Sequence, residues 1–195
     1  GIVQSQIMSV GSGDAPAATV AANAWLLYML PFSVFVLSIG TPYFTQLSEH
    51  AAAGRDEEVR TDIARSIRLL GLFMVISTAV LAAAAVPASR IFTTTPDYAV
   101  DASWVLLAFL VGLIPQTVLF IIGRVFYAYN DTRTPFFFTL VQASIVMITA
   151  VLALNLPTAF VTAGIALGQS FAVCVQLALA TWFLRRRLSR IGITR

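Results

Sequence analysis

Few side chains in this sequence have the types and spacing that catalysis needs. His50 is the only histidine and Cys174 the only cysteine, so neither a zinc site of such ligands nor an internal disulfide is expected. The acidic residues all lie at or beyond the ends of apolar runs, and no glycine-rich phosphate loop is present. A proton relay within a membrane would need an acid or a histidine inside such a run. The sequence therefore predicts no enzyme, no metal and no cofactor.

Uncharged polar side chains inside the apolar runs are better candidates for a functional site. The strongest are Asn23, Ser33, Gln116 and Gln142. Asn23 and Gln116 are favoured among them, because each lies near a proline that leaves backbone groups free. They would line a polar cavity for a substrate. The alternative is that they only join neighbouring helices through hydrogen bonds, each worth about 0.6–2 kcal/mol, and for any single side chain this alternative is favoured.

Composition places the apolar runs in a membrane. Hydrophobic residues make up 58% of the 195 residues and charged residues 11%, whereas soluble domains have roughly 25% charged residues. The mean hydropathy is +0.86. The runs are continuous rather than alternating, which favours helices over a β-barrel. The predicted fold is an all-α, polytopic transmembrane helix bundle. Because the basic residues cluster at run ends without interleaved aromatic residues, no nucleic-acid partner is expected.

The sequence predicts about five membrane spans, each near or above the roughly 20 residues that a bilayer requires. They cover residues 17–47, 67–86, 102–127, 136–154 and 159–184. The polar segment 48–66 is predicted to be a loop with a surface helix, in which acids precede arginines as the helix dipole favours. Residues 1–12 are apolar but too short to span the bilayer, and we expect them to be the tail of a sixth span that begins before this chain.

Three prolines interrupt the predicted spans. Pro31 and Pro42 lie in the first span and Pro115 in the third. Each is a candidate hinge, because proline removes a helix hydrogen bond and bends the helix. A kink without any function is the equally favoured alternative.

Arginine placement predicts how the spans are oriented. The chain has no lysine, and its arginines lie between the first two spans, around the loop after the third, and after the fifth. If five spans alternate in direction, these three groups lie on one side, and only Arg90 lies on the other. The positive-inside rule then places the arginine-rich loops and the C-terminal end in the cytoplasm.

The loop after the third span is the most informative segment of the chain. Residues 123–135 read GRVFYAYNDTRTP, which predicts a helix end, a short polar loop and a proline at the start of the next helix. Asp131 is suited to cap that helix, and Arg124 and Arg133 to lie at the level of the inner headgroups. Physics alone favours a cytoplasmic turn with anchoring arginines.

The same loop resembles the FYAxxDTRTP signature of the MurJ/MviN lipid II flippases, which belong to the multidrug/oligosaccharidyl-lipid/polysaccharide exporter superfamily. Residues 31–48, 66–68 and 184–188 are similar in order to further stretches of that family. The resemblance covers nearly the whole chain. It implies one lobe of a two-lobe exporter, comprising the tail of span seven and spans eight to twelve.

The resemblance also implies a function and a set of partners. Members move undecaprenyl-pyrophosphate-linked peptidoglycan precursor (lipid II) across the bacterial inner membrane, from the inner to the outer leaflet, by alternating access. The implied partners are the lipid-linked glycan, membrane lipids, a first transmembrane lobe and, as a further option, other cell-wall synthesis proteins. By the same resemblance the cytoplasmic loop or gate comprises Arg124, Asp131, Arg133 and Pro135.

Two departures from the family pattern bear on the site. Leu26 stands where many members carry an arginine that would face the pyrophosphate, although residues 23–27 are similar to the actinobacterial type. Asn and Asp are both missing from residues 136–153, so the sodium site of some members is not carried over. Two alternatives stay open: an exporter of the same superfamily for another polyprenyl-linked glycan or a drug, and a membrane scaffold that does not transport. Energy source and oligomeric state are not predicted.

Overall fold

The computed structural model describes residues 15–91, 96–155 and 158–190, and every element within them is helical. The helices are α1 (Ala15–Pro31), α2 (Ser38–Ala52), α3 (Asp56–Ala83), α4 (Ala85–Arg90), α5 (Pro96–Leu110), α6 (Leu113–Ala128), α7 (Arg133–Ala153) and α8 (Thr158–Arg190), and a π-helical segment, Phe32–Leu37, joins α1 to α2. The predicted helix tail at 1–12 lies outside the described residues, as do 156–157 of the turn after the fourth span.

Five helical stretches in the described part of the chain are long and apolar enough to cross a membrane. They are Ala21–Ala52, Asp56–Ala83, Ala102–Ala128, Arg133–Ala153 and Val161–Arg186. Large apolar side chains cover their outer faces; Leu72, Phe136 and Leu152 are each about 60% exposed. Such a surface suits hydrocarbon and not water. The predicted all-α transmembrane bundle is confirmed.

The polar segment 48–66 contains the end of α2, a turn at 53–55 and the first turns of α3. Asp56, Glu57 and Glu58 occupy the first turn of α3, where acids stabilise the positive end of the helix dipole. From there α3 continues without interruption to Ala83. The helix expected on the membrane surface is therefore one piece with the second span.

The prolines differ in their effect on the helices. Pro31 is followed directly by the π-helical segment, whereas Pro42 lies inside α2 without interrupting it. Pro115 lies in the first turn of α6, where a missing N–H costs least. Because Pro115 cannot donate to the carbonyl of Val111, the third span breaks into α5 and α6 at residues 111–112.

Small residues bring the helices together. Helices α7 and α8 are packed closely, and a Cβ added at Gly168 would lie 2.6 Å from the Thr149 Oγ1. A Cβ at Gly112 would lie 3.0 Å from Ser170 Oγ, so the break in the third span also depends on a glycine. Gly168 of the fifth span therefore lets α8 pack closely against α7.

Candidate functional site

Two helix ends meet at the arginine-rich end of the bundle, and both are built in the same way. At the end of α2, Gly54 has a φ of +67°, the Gly54 N–H donates to Ala51 O, and the Arg55 N–H donates to His50 O. This is the Schellman motif, in which a left-handed residue satisfies the last carbonyls of a helix. Glycine adopts that conformation without the steric cost that a Cβ brings.

The end of α6 repeats the motif with asparagine in the left-handed position. Asn130 has a φ of +55°, its N–H donates to Tyr127 O at 3.0 Å, and the Asp131 N–H donates to Phe126 O at 2.9 Å. Asp131 lies two residues before α7 and caps its first turn, because its carboxylate accepts the N–H of Arg133 at 3.2 Å and of Thr134 at 3.1 Å. The capping role predicted for Asp131 is confirmed, and consecutive residues end one helix and start the next.

Side chains join these two turns into one polar cluster. The Tyr129 hydroxyl donates to Asp56 Oδ1 at 2.7 Å, which links the loop after the third span to the start of α3. His50 lies between two carboxylates of α3, with Nδ1 2.7 Å from Asp62 Oδ2 and Nε2 3.1 Å from Glu58 Oε2. Arg55 pairs with the same Glu58 at 2.8 Å. We call His50, Arg55, Asp56, Glu58, Asp62 and Tyr129 the turn cluster.

The arginine-bearing segments lie at this one end of the bundle. An apolar core beneath the turn cluster combines Leu47 of α2, Val59 of α3, Phe126 of α6 and Leu184 of α8. The segments that carry Arg55–Arg68, Arg124–Arg133 and Arg185–Arg187 therefore converge, as five alternating spans require.

The four predicted gate residues occupy different environments. Arg124 is half-buried, and its guanidinium stacks over the rings of Phe120 at 4.7 Å and Phe44 at 4.9 Å. Arg133 is exposed in the first turn of α7, and Pro135 is buried two residues later. Arg124 thus holds α2 against α6, while Asp131 and Arg133 lie where the loop passes into α7.

A groove opens beside the turn cluster, along α3. It has a volume of about 810 Å³ and is lined by Tyr43 of α2 and by one face of α3. The residues of that face are Glu57, Arg60, Thr61, Ala64, Arg65, Arg68, Leu69 and Leu72. We call it the arginine groove. Arginine is suited to bind phosphate because its planar fork can donate two parallel hydrogen bonds.

The four predicted cavity residues remain separate. Asn23 of α1, Gln116 of α6 and Gln142 of α7 are half-buried, whereas Ser33 is exposed and donates to the Leu30 carbonyl at 3.0 Å. Within the described part of the chain, no hydrogen bond joins any two of the four. Leu26, at the position of the family arginine, is 59% exposed on α1. Their role in a cavity stays a prediction.

Sequence reasoning missed the polar contact that holds the broken third span. Ser170 of α8 donates to the carbonyl of Ala108 at 2.6 Å. That carbonyl is free because the Gly112 N–H turns to Phe109 instead, at 2.9 Å. The glycine and proline near the break were visible in the sequence, but nothing in it indicated which residue of another helix would satisfy the carbonyl.

Comparison with known proteins agrees with the resemblance seen in the sequence. The family model described as Lipid II flippase MurJ matches residues 6–194. A curated relative, the probable lipid II flippase MurJ of Borreliella burgdorferi, is 23% identical over 174 residues, which cover 80% of this chain and 32% of the relative. The chain thus spans about a third of the length of the curated relative that it matches.

Proposed function

The chain belongs to the MurJ lipid II flippase family, and from this premise we propose that it forms the second transmembrane lobe of a lipid II flippase. The complete transporter would move undecaprenyl-pyrophosphate-linked peptidoglycan precursor from the inner to the outer leaflet, without a catalytic step of its own. The observation that carries the proposal is the family match, which covers residues 6–194.

The energetic task fits a bundle of this kind. A pyrophosphate and sugars cannot enter hydrocarbon unaided, because each unpaired polar group there costs several kcal/mol. A first lobe, preceding this chain, would face the second lobe across a polar cavity. Asn23, Ser33, Gln116 and Gln142 are our candidates for the polar wall on this side.

We assign the charges that bind pyrophosphate to the first lobe. Leu26 presents an apolar side chain, 59% exposed, at the position where many family members carry an arginine. Among the described residues of α1, none is charged. This lobe would therefore contribute hydrogen bonds and shape to the cavity, and the partner lobe its positive charge.

Our proposal for how the lobe moves rests on the turn cluster and on two irregular points of the backbone, one in the first span and one in the third. Tyr129 and His50 tie α2, α3 and α6 together at one end, so that this end moves as a unit. The π-helical segment after Pro31 and the break at Gly112 are the points where backbone hydrogen bonding is already altered. We propose that bending at these points accompanies alternating access, and that the arginine-rich end is cytoplasmic.

Depletion of the full-length protein in its own host tests the proposal. We expect peptidoglycan growth to stall and lipid II to accumulate in the inner leaflet, as measured by the accessibility of its headgroup to an impermeant probe. Normal exposure of lipid II on the outer face during depletion would refute the transport function. In that case the scaffold alternative would be favoured.

The orientation has a separate test. Cysteines placed at Arg55 and Arg185 in a Cys174→Ala background would both be labelled only after the inner membrane is opened. Labelling of the two positions from opposite sides would contradict the proposed topology.

A further inference from the structure

The charges of α3 are divided between two faces of the helix. Asp56, Glu58 and Asp62 turn to Tyr129, Arg55 and His50 in the turn cluster. The arginines of α3 lie on the other face, in the arginine groove. The helix thereby uses most of its acids to hold the bundle together and leaves its bases for another partner.

The groove carries an excess of positive charge. Arg60 approaches Glu57 at 3.9 Å, a long contact between two exposed side chains. Arg65 and Arg68 form no ion pair with any residue that the structure describes. Of the charged residues that line the groove, three are arginines and one is a glutamate, so two positive charges are left without a counter-charge.

An apolar stripe continues from the groove along the same helix. Leu72, Ile76 and Val80 follow Arg68 at intervals of four residues, and all three are more than half exposed. From Leu69 to Val80 the helix rises about 16 Å, which is about half of the roughly 30 Å hydrocarbon core. A ligand that fits the whole surface has an anionic phosphate head and acyl chains of one leaflet.

We propose that the arginine groove is a binding site for the phosphate headgroup of an anionic glycerophospholipid, whose acyl chains lie along the stripe of Leu72, Ile76 and Val80. Arg65 and Arg68 bind the phosphate, and Tyr43 of α2 forms the opposite wall. The lipid contacts α2 and α3 together. It is a resident membrane lipid and is distinct from the transported precursor.

A cross-linker placed in the groove tests this assignment. The photoreactive residue p-benzoylphenylalanine replaces Tyr43 in the full-length protein, which is reconstituted in phosphatidylcholine vesicles with a minority of phosphatidylglycerol. After irradiation, mass spectrometry gives the ratio of the two lipids attached. We expect the ratio of attached phosphatidylglycerol to phosphatidylcholine to be about thirtyfold higher than the same ratio in the vesicle, the effect of two arginines near the surface.

Matched positions and variants define the site. The same cross-linker at Ile148, which is exposed on α7, should capture the lipids in the vesicle ratio. Arg65→Gln with Arg68→Gln should abolish the enrichment at position 43, whereas Arg90→Gln with Arg185→Gln removes the same charge elsewhere and should preserve it. Ala64→Trp keeps every arginine but fills the groove, and should also abolish the enrichment.

Three results would overturn the proposal. One is a vesicle-like lipid ratio at position 43. Another is an equal loss of enrichment in the Arg90/Arg185 control, which would mean that total charge and not the groove attracts the lipid. The third is capture of undecaprenyl pyrophosphate in place of phosphatidylglycerol when both are present, which would make the groove a site for the precursor.

Discussion

The hydroxyl of Tyr129 lies 2.7 Å from Asp56 Oδ1, and this hydrogen bond joins residues 73 positions apart in the chain. Tyr129 directly follows the last residue of α6, and Asp56 is the first residue of α3. The bond therefore fixes the loop after the third span to the start of the second span. It holds together the end of the bundle that carries most of the arginines.

Tyr129→Phe should destabilise the protein by about 1.5–3 kcal/mol, because it removes a hydrogen bond to a charged group. Tyr127→Phe is the matched control, since Tyr127 is two residues away and 47% exposed. Thermal unfolding of the detergent-solubilised protein measures both. In a double-mutant cycle with Asp56→Ala, the two losses should not add. Additive losses would mean that the two side chains act independently.

His50→Ala should cost about 1–3 kcal/mol, because Glu58 and Asp62 are left facing each other at helical spacing without the imidazole between them. Glu49→Ala, at an exposed neighbouring position, should change stability by less than about 0.5 kcal/mol. Combining His50→Ala with Asp62→Asn should recover part of the loss. Unfolding curves that leave His50→Ala equal to the parent would contradict the role of this contact.

Gly168→Ala should destabilise the bundle by about 1–3 kcal/mol, because the new methyl group would overlap Thr149 of α7. Gly71→Ala is the control, since no atom lies within 4 Å of the Cβ added there, and it should stabilise α3 by about 0.5–1 kcal/mol. Thr149→Gly should relieve the clash at position 168. If Gly168→Ala left the stability unchanged, α7 and α8 would have to move apart at little cost to fit the methyl group.

Ser170→Ala should cost about 0.6–2 kcal/mol, because it leaves the Ala108 carbonyl at the break of the third span without its hydrogen bond. Ser144→Ala is the matched control: Ser144 is exposed and donates only within its own helix, to Leu140 O at 3.0 Å. Hydrogen exchange of residues 108–112 reports directly on the break. Equal exchange in the parent and both variants would exclude a structural role for the Ser170 hydroxyl.

Arg133→Ala tests the proposed gate apart from folding. Arg133 is exposed, and it lies at the positive end of the α7 dipole, so its removal should leave thermal stability unchanged. Lipid II flipping in cells should nevertheless fall by about tenfold, equivalent to about 1.4 kcal/mol in the transport barrier. Arg90→Ala, at the other end of the bundle, should flip lipid normally. Full complementation by Arg133→Ala would mean that the loop only connects the two spans and has no role in gating.

The sequence by itself determined the class of fold and its broad arrangement. Continuous apolar runs leave the backbone no partner except itself, so helices and their number follow from composition and length. Gly54, Asn130 and Asp131 are local signals, because left-handed conformation and helix capping depend on a few consecutive residues. The number of spans also predicts that the three groups of arginines lie on the same side, because successive spans alternate in direction.

Only the tertiary structure decided which polar groups meet. The contacts of Tyr129 with Asp56, of His50 with Asp62, and of Ser170 with Ala108 join residues that lie 73, 12 and 62 positions apart. Periodicity along one helix gives the face on which a side chain lies but not the helix that it faces. For this reason the sequence did not predict that the α3 charges divide into a paired acidic face and an open basic face. That division depends on how α2, α3 and α6 pack together.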